Sequence, residues 1–188
     1  MTIVMAGCGA LGSQIALHIA IPASRFLLID DDRIEDVNVI TGTSAFLMHQ
    51  VGGLKALVLA EMVYCKCGAQ AKTDTRTLTP RRQHILRGAG LVIDTFDNAE
   101  ARRLTCGLSI PVVHVGVSAA RTGAVIWDEH YTLREDEYGR GHNPICTHQM
   151  GRQILRFTAA VAAGVIEHFF STGEKRSMIV TEGMKTLV

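Results

Sequence analysis

Charge is nearly balanced in this chain: 19 Lys and Arg against 18 Asp and Glu leave a formal net charge of +1 at pH 7. Such a balance gives no general electrostatic attraction to nucleic acid or to an anionic membrane. No apolar stretch approaches the length of a membrane span. The first residues open directly as an apolar run, with no basic segment or cleavage site before it, so a cytoplasmic protein is expected. No cysteine pair has C-x-x-C spacing, which argues against a four-cysteine zinc site. Cys8, Cys65, Cys67, Cys106 and Cys146 are odd in number and point to free thiols rather than a disulfide framework. Internal repeats and low-complexity stretches are absent as well, so the pattern of apolar runs carries the reading.

That pattern is rich. The 188 residues suit one domain, 1–188, with a sizeable core, and 47% hydrophobic with 20% charged residues is an ordinary globular composition. Apolar runs alternate with helical periodicity, the signature of a parallel sheet covered by helices. Strands are expected at about 2–6, 25–30, 70–76, 90–94, 111–117 and 122–127, and helices at about 10–20, 53–66, 80–87, 97–108 and 150–170. Only the six residues Ser118 to Gly123 separate the apolar runs Pro111–Val117 and Ala124–Trp127 of the last two strands, which implies antiparallel pairing there. The expected fold is therefore α/β, a Rossmann-like three-layer sandwich whose mostly parallel sheet turns mixed towards its C-terminal part. Residues 128–149 read as a polar loop, 157–170 as a buried helix, and 177–180 as a final edge strand.

Within this frame Gly7-Cys8-Gly9-Ala10-Leu11-Gly12 lies between a strand and a helix. Gly7 permits a tight turn, Gly9 lets the backbone approach a phosphate, and Gly12 lets helix and strand pack. The free amides of Ala10, Leu11 and Gly12, at the positive end of the helix dipole, favour an anion. Asp30 ends the next apolar run, where an acid meets a ribose hydroxyl. A hydride-transferring dinucleotide enzyme needs one such acid, but here Asp30-Asp31-Asp32 is followed by Asn38 and then by Lys55 at a helix start. A lysine there supplies a point charge for a triphosphate, or is simply a surface lysine beside a solvated turn.

Further along, Asp94-Thr95-Phe96-Asp97-Asn98 follows a buried strand, so Asp97 is placed either to hold magnesium or to cap a helix. Cys146, in His142-Asn143-Pro144-Ile145-Cys146-Thr147-His148, sits before a helix and reads as an activated thiolate or an inert thiol. A His142/Cys146/His148 metal set is a third reading of the same stretch.

Together these segments resemble the ThiF/MoeB/HesA superfamily, the adenylating fold of ubiquitin-activating enzymes, over about residues 2–127 and loosely in the C-terminal helix. The resemblance implies that Gly7, Gly9 and Gly12 bind ATP phosphates and that Asp30 binds the ribose. It matches Asp32 to the second acid of a D-x-D turn, Asn38 to the start of N-L-x-R-Q, and Lys55 to the triphosphate lysine. Asp97 matches the magnesium-associated aspartate of D-x-x-D-N, Arg102 the arginine after it, and Cys146 a reactive cysteine. The implied reaction is adenylation of the C-terminal glycine carboxylate of a small ubiquitin-like or sulfur-carrier-like protein or peptide by a homodimer, with Cys146 as possible acceptor. Two features depart from the pattern: Thr41 stands where the family has an arginine, and the helical N-terminal extension with a further arginine is missing. Two alternatives stay open: a non-catalytic nucleotide- or partner-binding module, and an NAD-dependent oxidoreductase.

Overall fold

A computed structural model describes residues 1–118, 121–133, 151–181, 183 and 186–187. Eight strands form one sheet in the order β3-β2-β1-β4-β5-β6-β7-β8. β1 (Thr2–Ala6), β2 (Arg25–Ile29), β3 (Gln70–Asp74), β4 (Leu91–Asp94) and β5 (Val112–Val117) run parallel. β6 (Gly123–Trp127), β7 (Met178–Val180) and β8 (Thr186–Leu187) pair antiparallel in turn. The mixed sheet expected from the short 118–122 link is thus present. The segment read as a final edge strand forms β7, and β8 lies outside it.

Strand periodicity sorts the core into two layers. Ile3 and Met5, Phe26 and Leu28, Leu91 and Ile93, and Val113 and Val115 face one side, where α1 (Ala10–Ile19), α3 (Lys55–Cys67) and α5 (Arg152–Thr172) pack. Val4, Ala6, Ile29, Val92 and Val112 face the other, against Leu78, Leu86 and Ala89. This second layer is thinner than expected. Residues 80–87 form a 3₁₀ helix (Pro80–Leu86), closed by i→i+3 bonds such as Arg82 N–H to the Thr79 carbonyl at 2.8 Å. With Pro80 at its start and Gly88 just beyond its end, the segment is too short to gain many i→i+4 bonds. The helix expected over 97–108 shrinks to α4 (Ala99–Arg103). Beyond it the Thr105 hydroxyl turns inward, 2.9 Å from the Asp94 carboxylate, and Gly107 at φ +67° ends the turn.

α5 corrects one reading of the sequence: it is 21 residues long and contains an 18-residue stretch of mean hydropathy 1.3, so it does have the length and composition of a membrane span. Its apolar stripe of Ile154, Leu155, Ala159, Ala162 and Ile166 is nevertheless buried against α1 and the sheet, the place of a core helix. Removing the Leu155 side chain, which is fully buried, is expected to cost about 2–5 kcal/mol in urea denaturation. Trimming Ile40, 61% exposed, is expected to change stability by less than about 0.5 kcal/mol.

Candidate functional site

The strand order places a switch point at β1. From β1 the chain builds outward through β2 and β3, then crosses back to lay β4 on the other side. At such a point the loops leaving adjacent carboxyl ends diverge and open a crevice. The 7–12 loop leaves β1 at this crevice. Gly7 has φ +94°, a conformation strained for any L side chain, and a Cβ there would stand 3.0 Å from the Thr95 backbone. A Cβ on Gly12 would stand 2.1 Å from the Gly7 carbonyl oxygen, so only glycine lets α1 start so close to the strand end. A Cβ on Gly9 would meet nothing within 4 Å, which makes this the open side of the loop. Gly9 caps α1 without a side-chain bond, and no acid occupies the first turn. The amides of Ala10, Leu11 and Gly12 therefore lack intrahelical acceptors at the positive end of the helix.

Asp30 shapes the loop from β2. It is 8% exposed, and its Oδ2 accepts the Cys8 amide at 2.7 Å while Oδ1 accepts the Asp32 amide at 2.9 Å. Burial pushes its carboxyl up from the ordinary 3.8 to about 6, against the opposing pull of the Lys55 charge and the two amides. Burial and the Asp30 charge likewise hold the Cys8 thiol well above its usual range, so this cysteine is inert in the loop.

Lys55 is delivered by a local backbone pairing. The Lys55 amide donates to the Asp32 carbonyl at 2.9 Å, and an antiparallel bridge joins Arg33 to Leu54. The Lys55 ammonium then reaches Asp32 Oδ2 at 2.8 Å. A cation as first residue of a helix opposes the dipole, so this position is adverse for helix stability. Burial lowers its basicity, but Asp30, Asp32 and Asp97 outweigh that and hold Lys55 charged, above its ordinary value. Asp97 is exposed, just past the end of β4, and its charge acts on Lys55 and Arg102 alike. The loop, Asp30, Asp32, Lys55 and Asp97 thus converge at the carboxyl ends of β1, β2 and β4.

Three residues singled out in the sequence are placed differently or fall elsewhere. Asn38 caps the short helix α2 (Asp36–Ile40): its Oδ1 accepts the Glu35 amide at 2.9 Å. Arg102 points into the fold, donating to the Val115 carbonyl at 2.9 Å and lying 3.8 Å from Asp94 and 3.4 Å from the Tyr131 hydroxyl. Cys146, with His142 and His148, lies outside the described residues. Of the other arginines, Arg33 donates to the Gly52 carbonyl at 2.7 Å, and Arg82 is tied to Asp74 and the Thr77 carbonyl.

A buried network went unread in the sequence. Asp94, fully buried, receives the Phe96 amide and the Thr105 hydroxyl and lies 2.7 Å from His114 Nδ1. Burial alone drives this carboxyl up, but Arg102 and His114 prevail and hold it below the usual carboxylate range. The available signal was a lone histidine in the run Val112-Val113-His114-Val115.

The raised Asp30 group makes a pH prediction. The folded state keeps this proton to about pH 6, whereas the unfolded chain releases it near 3.8. The folded state therefore binds more protons between these values, and the associated stability is present below about pH 4 and lost as pH rises through about 6. Relative to Asp30→Asn, the unsubstituted chain is expected to lose on the order of 3 kcal/mol between about pH 4 and 7, read by urea denaturation. A difference that does not change with pH contradicts the burial of this carboxyl.

Comparison with known proteins identifies the fold and the family. The ThiF family model matches residues 1–168. Escherichia coli MccB bound to MccA-N7isoAsn superposes with TM-score 0.72 at 15% identity, covering 99% of this chain and 63% of that one. MccB with ATP gives TM-score 0.69 at 16% identity, covering 99% and 62%. PaaA gives TM-score 0.74 at 14% identity, covering 99% and 71%. The chain thus spans less than two thirds of the MccB chains it matches, at 63% and 62%. No curated protein sequence matches it. At these identities the neighbours establish the Rossmann-like fold, and the family model, matching most of the chain, establishes the kinship: this chain belongs to the ThiF family.

Proposed function

We propose that this chain catalyses ATP-dependent adenylation of the C-terminal carboxylate of a peptide or small protein. The observation that carries the reading is the meeting of an uncapped glycine-loop helix, Asp30, Lys55 and Asp97 at one switch point. MccB, among the fold neighbours, has been solved with ATP and with the MccA peptide. That supports a nucleotide in this crevice and a peptide, rather than only a ubiquitin-like or sulfur-carrier-like protein, as acceptor. A terminal glycine on the acceptor and a second copy of this chain as partner belong to the same proposal.

In the reaction a carboxylate oxygen attacks the α-phosphorus of ATP, the bond from that phosphorus to the bridging oxygen breaks, and pyrophosphate leaves. The loop amides grip the phosphates, and Lys55 leaves Asp32 to neutralise the triphosphate. Asp30 holds the loop and meets the ribose. The demand on the protein is positioning and charge compensation. Asp97 suits magnesium: it is an exposed carboxylate just past the end of β4, its Oδ1 engaged only in a long 3.4 Å bond from Asn98 Nδ2 among the bonds described, and Mg²⁺ takes one or two carboxylates plus phosphate oxygens. A magnesium ion held by Asp97 would supply positive charge to the triphosphate. Transfer onward to Cys146 rests on the sequence alone.

One observation favours a second reading, a nucleotide-binding module without chemistry. The Thr41 hydroxyl donates to the Val37 carbonyl at 2.6 Å, and Arg102 is turned inward, so neither offers a guanidinium to the phosphates. Pyrophosphate exchange into ATP, measured with peptides encoded beside this chain, separates the readings. Exchange is expected to depend on the peptide and to fall about 100-fold or more in Lys55→Ala and Asp97→Ala. Exchange unchanged in both variants rejects the assigned site. Tight ATP binding without exchange supports the module, and preference for NADH over ATP supports an oxidoreductase.

A further inference from the structure

On the sheet face that carries α4, three donor atoms of different chemistry meet outside the nucleotide crevice. Cys106 follows α4, His114 lies on β5 and Asp128 follows β6. One ligand atom from each falls within 4.8 Å of the other two. His114 is 1% exposed and is held on three sides. Its Nδ1 is 2.7 Å from Asp94 Oδ2, its Nε2 is 2.9 Å from Asp128 Oδ1, and the Tyr131 ring stacks on it at 3.8 Å. The other oxygen of Asp128 accepts the Gly107 amide at 2.9 Å, which fixes that carboxylate.

Counting donors exposes a conflict. A neutral imidazole has one N–H and cannot donate to two carboxylates. Asp94 is buried beside Arg102 and the Thr105 hydroxyl, so it is the natural acceptor for Nδ1–H. The Nε2 lone pair then faces a carboxylate oxygen at 2.9 Å, which is repulsive unless a positive charge lies at that point. A second proton or a cation satisfies it, and the thiol beside it adds a third, softer donor. A buried carboxylate that orients a histidine so that its other nitrogen faces outward is the usual support of a protein-bound zinc.

We propose that Cys106, His114 and Asp128 bind one Zn²⁺, with the fourth position open to solvent. Sulfur, nitrogen and oxygen in one set suit zinc better than magnesium or calcium, and three protein ligands leave a position free. Tetrahedral zinc holds neighbouring ligand atoms roughly 3.3–3.6 Å apart. Forming that geometry from the present atoms, 2.9 Å apart for Nε2 and Oδ1 and within 4.8 Å overall, takes changes in separation of about 0.4–1.5 Å, open to Cys106 and Asp128, which are only partly buried. Burial, Asp128 and Asp94 hold the Cys106 thiol above its ordinary value, and a dication cancels the negative field responsible. Loading releases the thiol proton and any proton on Nε2. The bound ion cross-links the end of α4 to two strands, independently of the nucleotide reading.

Cobalt(II) titration of the metal-free full chain tests this, with absorbance as the readout. One equivalent is expected to give the intense d–d bands of a four-coordinate ion and a thiolate-to-cobalt charge-transfer band. Cys106→Ser removes the charge-transfer band, and Asp128→Asn weakens binding about 10-fold or more. Zinc is expected to raise the melting temperature of the unsubstituted chain and to leave that of Cys106→Ser, compared with its own metal-free form, unchanged. Absence of stoichiometric cobalt binding overturns the proposal. So does a charge-transfer band that survives in Cys106→Ser, or an affinity equal to the unsubstituted chain in both variants.

Discussion

The Asp30 carboxylate, buried at the end of β2, accepts the amide of Cys8 with one oxygen and that of Asp32 with the other. Everything at the crevice hangs from this pair of bonds. The first fixes the glycine loop against the neighbouring strand, so the helix start faces the crevice. The second turns the chain after β2, so that Asp32 and Arg33 pair with Leu54 and Lys55. A carboxylate with so little water around it is costly to ionise, which is why its proton is held to about pH 6. The cost is offset by short amide bonds and by the Lys55 charge.

Charge then explains the rest of the site. Lys55 sits where a helix disfavours a cation and where three aspartates compensate. Its bond to Asp32 is to a carboxylate 69% exposed. Such a pair contributes little to stability, so it is easily given up when phosphates arrive. Arg102 has the opposite character: its guanidinium is bound to the Val115 carbonyl and flanked by Asp94 and Tyr131, and it anchors α4 to β5.

The sequence was most informative where one residue type has one use. The alternation of apolar runs with helical periodicity pointed to the parallel sheet, and the glycine loop fell where Gly7 and Gly12 admit no side chain. It was least informative about side-chain direction. Arg102 matches the family's arginine after D-x-x-D-N, yet its guanidinium points inward beside Asp94. Asn38 has the position of a site residue, but its oxygen closes a cap on Glu35, a residue seldom found in that role. Asp94, His114 and Asp128 stand far apart in the chain; the β4–β5 register pairs Asp94 with His114, and the β5–β6 register that pairs Val113 with Trp127 brings Asp128 beside them. The length of α4 was misread because Thr105 makes tertiary bonds that helical periodicity does not encode.

The central claim is that the crevice beneath the 7–12 loop receives the phosphates of ATP. Titrating ATP into isotopically labelled protein and following backbone amide resonances tests it most directly. The account predicts the largest shifts at Gly9, Ala10, Leu11 and Gly12, with Asp30 and Lys55 next. Saturable ATP binding that leaves these amides unmoved contradicts it.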